Sequence, residues 1–140
     1  MKYAVILALL LISEHTLSSV LVGKWVYDSE RILAELHRTS NTPANVMKCF
    51  ELKVCGNMAS FEYTSTHWRQ RLDFSSGDDY YESEFVEYQV LEETAECIVI
   101  STLVEGEKVE VKFSIIDNNH LSYITSLGDF QWIEYLSRAH

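Results

Sequence analysis

Residues 108–116, Lys-Val-Glu-Val-Lys-Phe-Ser-Ile-Ile, decide the fold. Val109, Val111, Phe113 and Ile115 fall on one side of an extended chain, and Lys108, Glu110 and Lys112 on the other. That period of two is the mark of a strand with one face buried. Turn residues bound it on both sides, Glu105-Gly106-Glu107 before and Asp117-Asn118-Asn119 after. Working outward, Ala95–Val104 precedes it as a strand, and His120–Ser126 and Phe130–Leu136 follow. Toward the N-terminus the pattern predicts strands over Leu21–Tyr27, Met47–Cys55, Met58–Ser65, His67–Phe74 and Tyr80–Leu91. In these, Phe50, Leu52 and Val54 share a face, as do Ala59, Phe61 and Tyr63, and Trp68, Gln70, Leu72 and Phe74. Gly56-Asn57 reads as a tight turn, and residues 75–79 as a loop.

One segment departs from this rule. Asp28-Ser29 can cap a helix in which Ile32, Leu33 and Leu36 share a face, with Glu30 in the first turn and Arg38 at the end. A short helix is predicted from Ser29 to His37, followed by a loop over Thr39–Ala44 holding the only proline. Without strand–helix alternation, no parallel doubly wound sheet forms. Eight or nine short strands joined by short turns predict an all-β fold. We expect an antiparallel up-and-down β-barrel of about eight strands with a short helix after the first strand. Closure removes the exposed strand edges, and eight strands leave room for side chains or one small ligand.

Composition narrows the function. The chain has 140 residues, 47% of them apolar, with 11 Lys and Arg against 21 Asp and Glu, a net charge of −10. Such an acidic domain has no basic surface to displace phosphate counterions, which argues against nucleic acid and anionic membranes as partners. Met1-Lys2, the unbroken apolar run Tyr3–Ile12 and the small residues Ser18-Ser19 read as a signal peptide over residues 1–19, with one domain over residues 20–140. Ten apolar residues are too few to cross a bilayer core of about 30 Å, so the expected product is secreted, without membrane insertion. In an oxidising compartment three cysteines give one disulfide and one leftover thiol. We expect Cys97 to pair with Cys49 or Cys55. Cys49–Cys97 is favoured, because it bridges the second strand and a distant one and closes a loop of about 50 residues, whereas Cys49 and Cys55 on one extended strand would lie about 20 Å apart, beyond disulfide reach.

The ends of the mature chain resemble the lipocalins. Val22-Gly23-Lys24-Trp25 is similar to their first-strand Gly-x-Trp motif. Asp117 to Tyr123 resembles their middle motif, and Asp129 to Arg138 resembles the aromatic last strand leading to an arginine. Met47-Lys48-Cys49-Phe50 is similar to the second-strand cysteine region of arthropod lipocalins. The resemblance implies a calycin barrel closed at one end by Gly23, Trp25 and Arg138, with Arg138 over the indole, and a hydrophobic ligand inside. The helix after the first strand also resembles that of fatty-acid-binding proteins, but their last-strand Arg-x-Tyr is absent here.

The residues themselves favour binding over catalysis. His37, His67, His120 and His140 have no metal-like spacing to one another or to cysteine, and there is no Gly-x-Ser-x-Gly or glycine-rich phosphate loop. No enzyme, cofactor or metal is expected. The expected interior is Phe50, Leu52, Val54, Phe61, Tyr63, Trp68, Gln70, Leu72, Val109, Val111 and Phe113, with Gln70, Thr102 and Glu134 as its polar groups. That set predicts a secreted carrier or scavenger of a small hydrophobic or amphipathic molecule, such as a lipid. A filled barrel would instead make a secreted protein-binding module or inhibitor. Phe130, Trp132 and Glu134 share a strand face. Facing inward they would form an aromatic–carboxylate cage for a biogenic amine, as some lipocalins of blood-feeding arthropods do. An outward face with a solvated glutamate is the commoner arrangement, because buried glutamate is uncommon.

Overall fold

The computed structural model describes residues 19–52, 59–74 and 79–140. The expected signal peptide, apart from Ser19, lies outside them. The described chain forms β1 (Gly23–Tyr27), α1 (Ser29–Arg38), α2 (Ala44–Glu51), β2 (Ala59–Tyr63), β3 (His67–Asp73), β4 (Tyr80–Glu82), β5 (Val86–Glu93), β6 (Cys97–Val104), β7 (Glu107–Asp117), β8 (His120–Leu127) and β9 (Phe130–Arg138). All pairings are antiparallel; strands pair with sequence neighbours, except that β5 pairs with β3 and not with β4, and β1 pairs with β9 around the seam. β2 pairs with both β1 and β3, so the sheet closes on itself. β4 and β5 both lie along β3, at Arg71–Asp73 and at His67–Trp68 respectively. They form one interrupted strand, and the barrel has eight staves. Ser83 bridges the interruption. Its backbone NH donates to the Gln70 carbonyl at 2.9 Å, and its hydroxyl accepts from the Gln70 NH at 2.9 Å. The single long strand expected over Tyr80–Leu91 is therefore two.

A larger correction concerns Met47–Cys55. Residues 44–51 are helical, with Val46 and Phe50 buried four residues apart, a helical and not a strand spacing. Leu52, which the period-two reading placed inside the barrel, is 64% exposed. Val54 lies outside the described residues. α2 packs against α1, and Ile32, Leu36, Val46 and Phe50 form a small core resting on Tyr27, Phe130, Trp132 and Tyr135 at one end of the barrel. The cysteine pairing changes with it. Cys97 is a free thiol, so the expected Cys49–Cys97 bridge is absent, while Cys49 is disulfide-bonded. Cys55 lies outside the described residues. Cys49 sits on a helix and not on the extended strand that the 20 Å separation from Cys55 requires.

The main core runs through the barrel as Leu21, Trp25, Tyr63, Tyr88, Ile98, Ile100, Phe113, Leu121 and Leu136. Opposite the helices the barrel is shut. Trp25 pairs in register with Arg138, whose guanidinium lies 4.4 Å above the indole ring. The guanidinium also donates to the carbonyls of Val20, Val22 and Asn118 at 2.7–3.0 Å. The Trp25 Nε1–H donates to the Leu21 carbonyl at 2.8 Å. Gly23 has φ +134°, and a Cβ there would collide with the Arg138 guanidinium, so only glycine fits. The β6–β7 hairpin turns on Glu105 (φ 52°) and Gly106 (φ 82°), two successive positive-φ residues as a type I′ turn requires.

Candidate functional site

The helix-covered end carries the one buried carboxylate among the described residues. On β9 the inward face is Phe130, Trp132, Glu134, Leu136 and Arg138. Glu134 is only 8% exposed. Of the two arrangements open to this glutamate, the less common inward one is therefore the one found. Its neighbour across the strand pair is Tyr123 of β8, whose hydroxyl donates to Glu134 Oε2. The hydroxyls of Tyr27 and Tyr123 lie 2.7 Å apart. Tyr123 spends its only proton on Glu134, so Tyr27 donates to Tyr123, and the three groups form a directed chain ending on the carboxylate. Burial, followed by the Glu134 charge, raises the Tyr27 pKa above the ordinary phenol value. For Tyr123, burial is again the largest cause, followed by Tyr27 and then Glu134. Both phenols thus stay protonated donors at neutral pH.

Above this chain a cavity of about 260 Å³ lies between α2 and the barrel rim, lined by Tyr27, Asn45, Val46, Cys49, Phe50, Ser126, Leu127, Trp132 and Glu134. Phe130 and Trp132 stack with centroids 5.7 Å apart and ring planes 23° apart. Among the described residues, the buried Trp132 Nε1–H has no hydrogen-bond partner. An orphaned buried donor costs about 1–3 kcal/mol, and here it belongs to a residue of a cavity wall that also carries a carboxylate. The site thus combines an acceptor of charge, an unused donor and aromatic rings.

The other expected interior residues are divided between places. Phe61, Tyr63, Trp68, Val111 and Phe113 line a separate inner cavity of about 130 Å³, with Thr102 and Tyr123. Trp68 Nε1 donates to the Thr102 hydroxyl at 2.7 Å, and that hydroxyl donates on to the Glu87 carbonyl at 3.0 Å. Gln70, Leu72 and Val109 share the inward face by register with Phe61, Ala59 and Thr102, but border neither cavity. Phe50 reaches the outer cavity from α2, not from a strand. Tyr27, Asn45, Val46, Cys49, Ser126 and Leu127 join the cavity from outside the expected set. Asn45, Val46 and Cys49 do so because they lie on a helix that the period-two pattern does not reveal.

No family model, curated protein or solved structure matches the chain. The fold is an eight-staved antiparallel barrel with two helices, compatible with a calycin-like fold. Among the described residues no helix is long and apolar enough to cross a membrane.

Proposed function

We propose that this chain is an exported carrier or scavenger of a small amphipathic molecule, held in the cavity between α2 and the barrel rim with a cationic amine against Glu134. The observation that carries the reading is the buried carboxylate on a cavity wall that also holds the orphaned indole donor of Trp132. A protonated amine would satisfy the first and a hydroxyl or ether oxygen the second. The rings of Tyr27, Phe50 and Trp132 would take an apolar body, with cation–π attraction adding to the charge pair. At about 260 Å³ the cavity is smaller than those of drug-sized ligands, so the ligand is small. A net charge of −10 attracts cations to the surface and repels fatty-acid anions. The basic start and apolar run of residues 1–12 support export, and the ordered Gly-x-Trp, middle and last-strand motifs support kinship with the lipocalins.

A secreted protein-binding module is the second reading. In its favour the inner cavity is only about 130 Å³, and Ile124, Leu127 and Ile133 stand 68%, 49% and 41% exposed.

Titration with aromatic amines, steroids, retinoids and fatty acids, followed by tryptophan fluorescence, separates the two. An aromatic amine should saturate the signal. Glu134→Gln should weaken it by about ten- to a hundredfold, since hydrogen bonds to a charged group contribute about 1.5–3 kcal/mol. Absence of a saturable response from every compound would refute the carrier reading and favour the protein-binding one.

A further inference from the structure

The outer faces of the barrel differ in charge. On β2–β3 the outward cross-strand pairs are Glu62↔Arg69 and Ser60↔Arg71, and on β6–β7 they include Val99↔Lys112 and Leu103↔Lys108. On β8–β9 three successive outward pairs, Ser122↔Tyr135, Ile124↔Ile133 and Ser126↔Gln131, carry no charge. In a chain with a net charge of −10, this is the face that two copies can bring together at the least electrostatic cost. Ile124 at its centre is 68% exposed, more than any other large hydrophobic side chain among the described residues. On one side α1 bounds the face, where the Arg31 guanidinium lies 4.1 Å over the Tyr135 ring. An uncharged centre within a charged rim is the composition of a protein interface.

The other border is β7. Glu110 and Lys112 are exposed, lie two residues apart on one strand and so point the same way, and have no ion-pair partner among the described residues. Together with Ile124 and Ile133 they line a surface depression of about 500 Å³. The Phe113 and Tyr123 rings meet behind it, with centroids 5.8 Å apart. Opposite charges placed in this way complement themselves. A two-fold axis lying across the strands over Val111 would set Glu110 of each copy against Lys112 of the other. The Ser114↔Ser122 register puts Lys112 level with Ile124, so the same axis brings the Ile124–Ile133 pairs of the two copies side by side. Such an isologous contact makes every favourable pairing twice.

We propose that this face docks a second copy of the chain, giving a weak two-fold dimer through β7, β8 and β9. Three strands about 4.8 Å apart offer roughly a few hundred Å². A standard stable interface buries about 800 Å² per partner, so the dissociation constant should be on the order of 100 μM. Glu110, Lys112 and Ile124 do not line the α2 cavity, so the contact stands whether or not that cavity takes an amine.

The test is sedimentation velocity of the full exported chain over a range of concentrations. Glu110→Lys and Lys112→Glu, both at exposed positions, should each weaken association by about tenfold or more. Each sets like charges face to face twice per dimer, and about 1.4 kcal/mol lost is a factor of ten. An equimolar mixture of the two variants should associate to within about threefold of the unaltered chain, because the lysines of one then meet the glutamates of the other. A chain that stays monomeric at about ten times the expected constant overturns the proposal and leaves the face to a different protein. Single variants that associate like the unaltered chain overturn it as well, and so does a mixture that associates no better than either variant alone.

Discussion

The two ends of the barrel each carry an inward tryptophan, and their indole NH groups are treated in opposite ways. Trp25 is fully buried, donates to the Leu21 carbonyl and lies under the Arg138 guanidinium, which itself spans three backbone carbonyls. Trp132 is partly buried, stacks on Phe130 and leaves its donor unused beside a cavity that also holds Glu134. Satisfied polar groups lock a structure, whereas an unsatisfied donor is a cost that a native fold keeps at few places. The difference separates an end built for stability from an end with capacity left for a partner.

The largest expected effect falls on the closed end. Trp25→Ala should destabilise the protein by about 3–5 kcal/mol, the range for truncating a large buried aromatic. Denaturant unfolding measures it, and a loss under about 1 kcal/mol would erase the distinction between the ends. Next comes the response to base. The folded-state pKa values of Tyr27, Tyr63 and Tyr123 are raised by burial above the unfolded value of about 10. Their contribution is therefore fully present below about pH 10 and is lost as pH rises beyond it, because the unfolded chain gives up those protons first. The unfolding midpoint should fall steeply in that range, with less fall in Tyr123→Phe, and normal phenol titration without loss of structure would contradict it. The smallest effect is at Trp132. Trp132→Phe removes an unpaired donor as well as some ring area, so the two terms oppose and stability should change by less than about 1 kcal/mol. Amine affinity should still fall. A stability loss as large as that of Trp25→Ala would show that the helix-covered end is a core like the other.

Much of the scaffold was legible. Lys108–Ile115 alternates without interruption, and β7 runs from Glu107 to Asp117. The helix after β1 ends one residue past its expected limit, with the Asp28 side chain accepting from the Arg31 NH as a cap should. The helix Ala44–Glu51 is not legible, because Phe50, Leu52 and Val54 alternate over a window too short to separate a period of two from one of 3.6. The direction of Glu134 was not legible either. β9 carries Ile133 and Tyr135 on one face and Trp132 and Leu136 on the other, so hydrophobicity marks neither as inner.

Taken alone, the chain determines its strands, its turns, its first helix and its acidic charge, all of which follow from near neighbours and from composition. Only the tertiary structure decides which face of β9 looks inward, that α2 roofs one end and that Cys97 stays free. The physical reason is shared. Each depends on which distant residues come to lie opposite one another when the sheet closes, and side-chain alternation within one strand holds no information about the partner it will face.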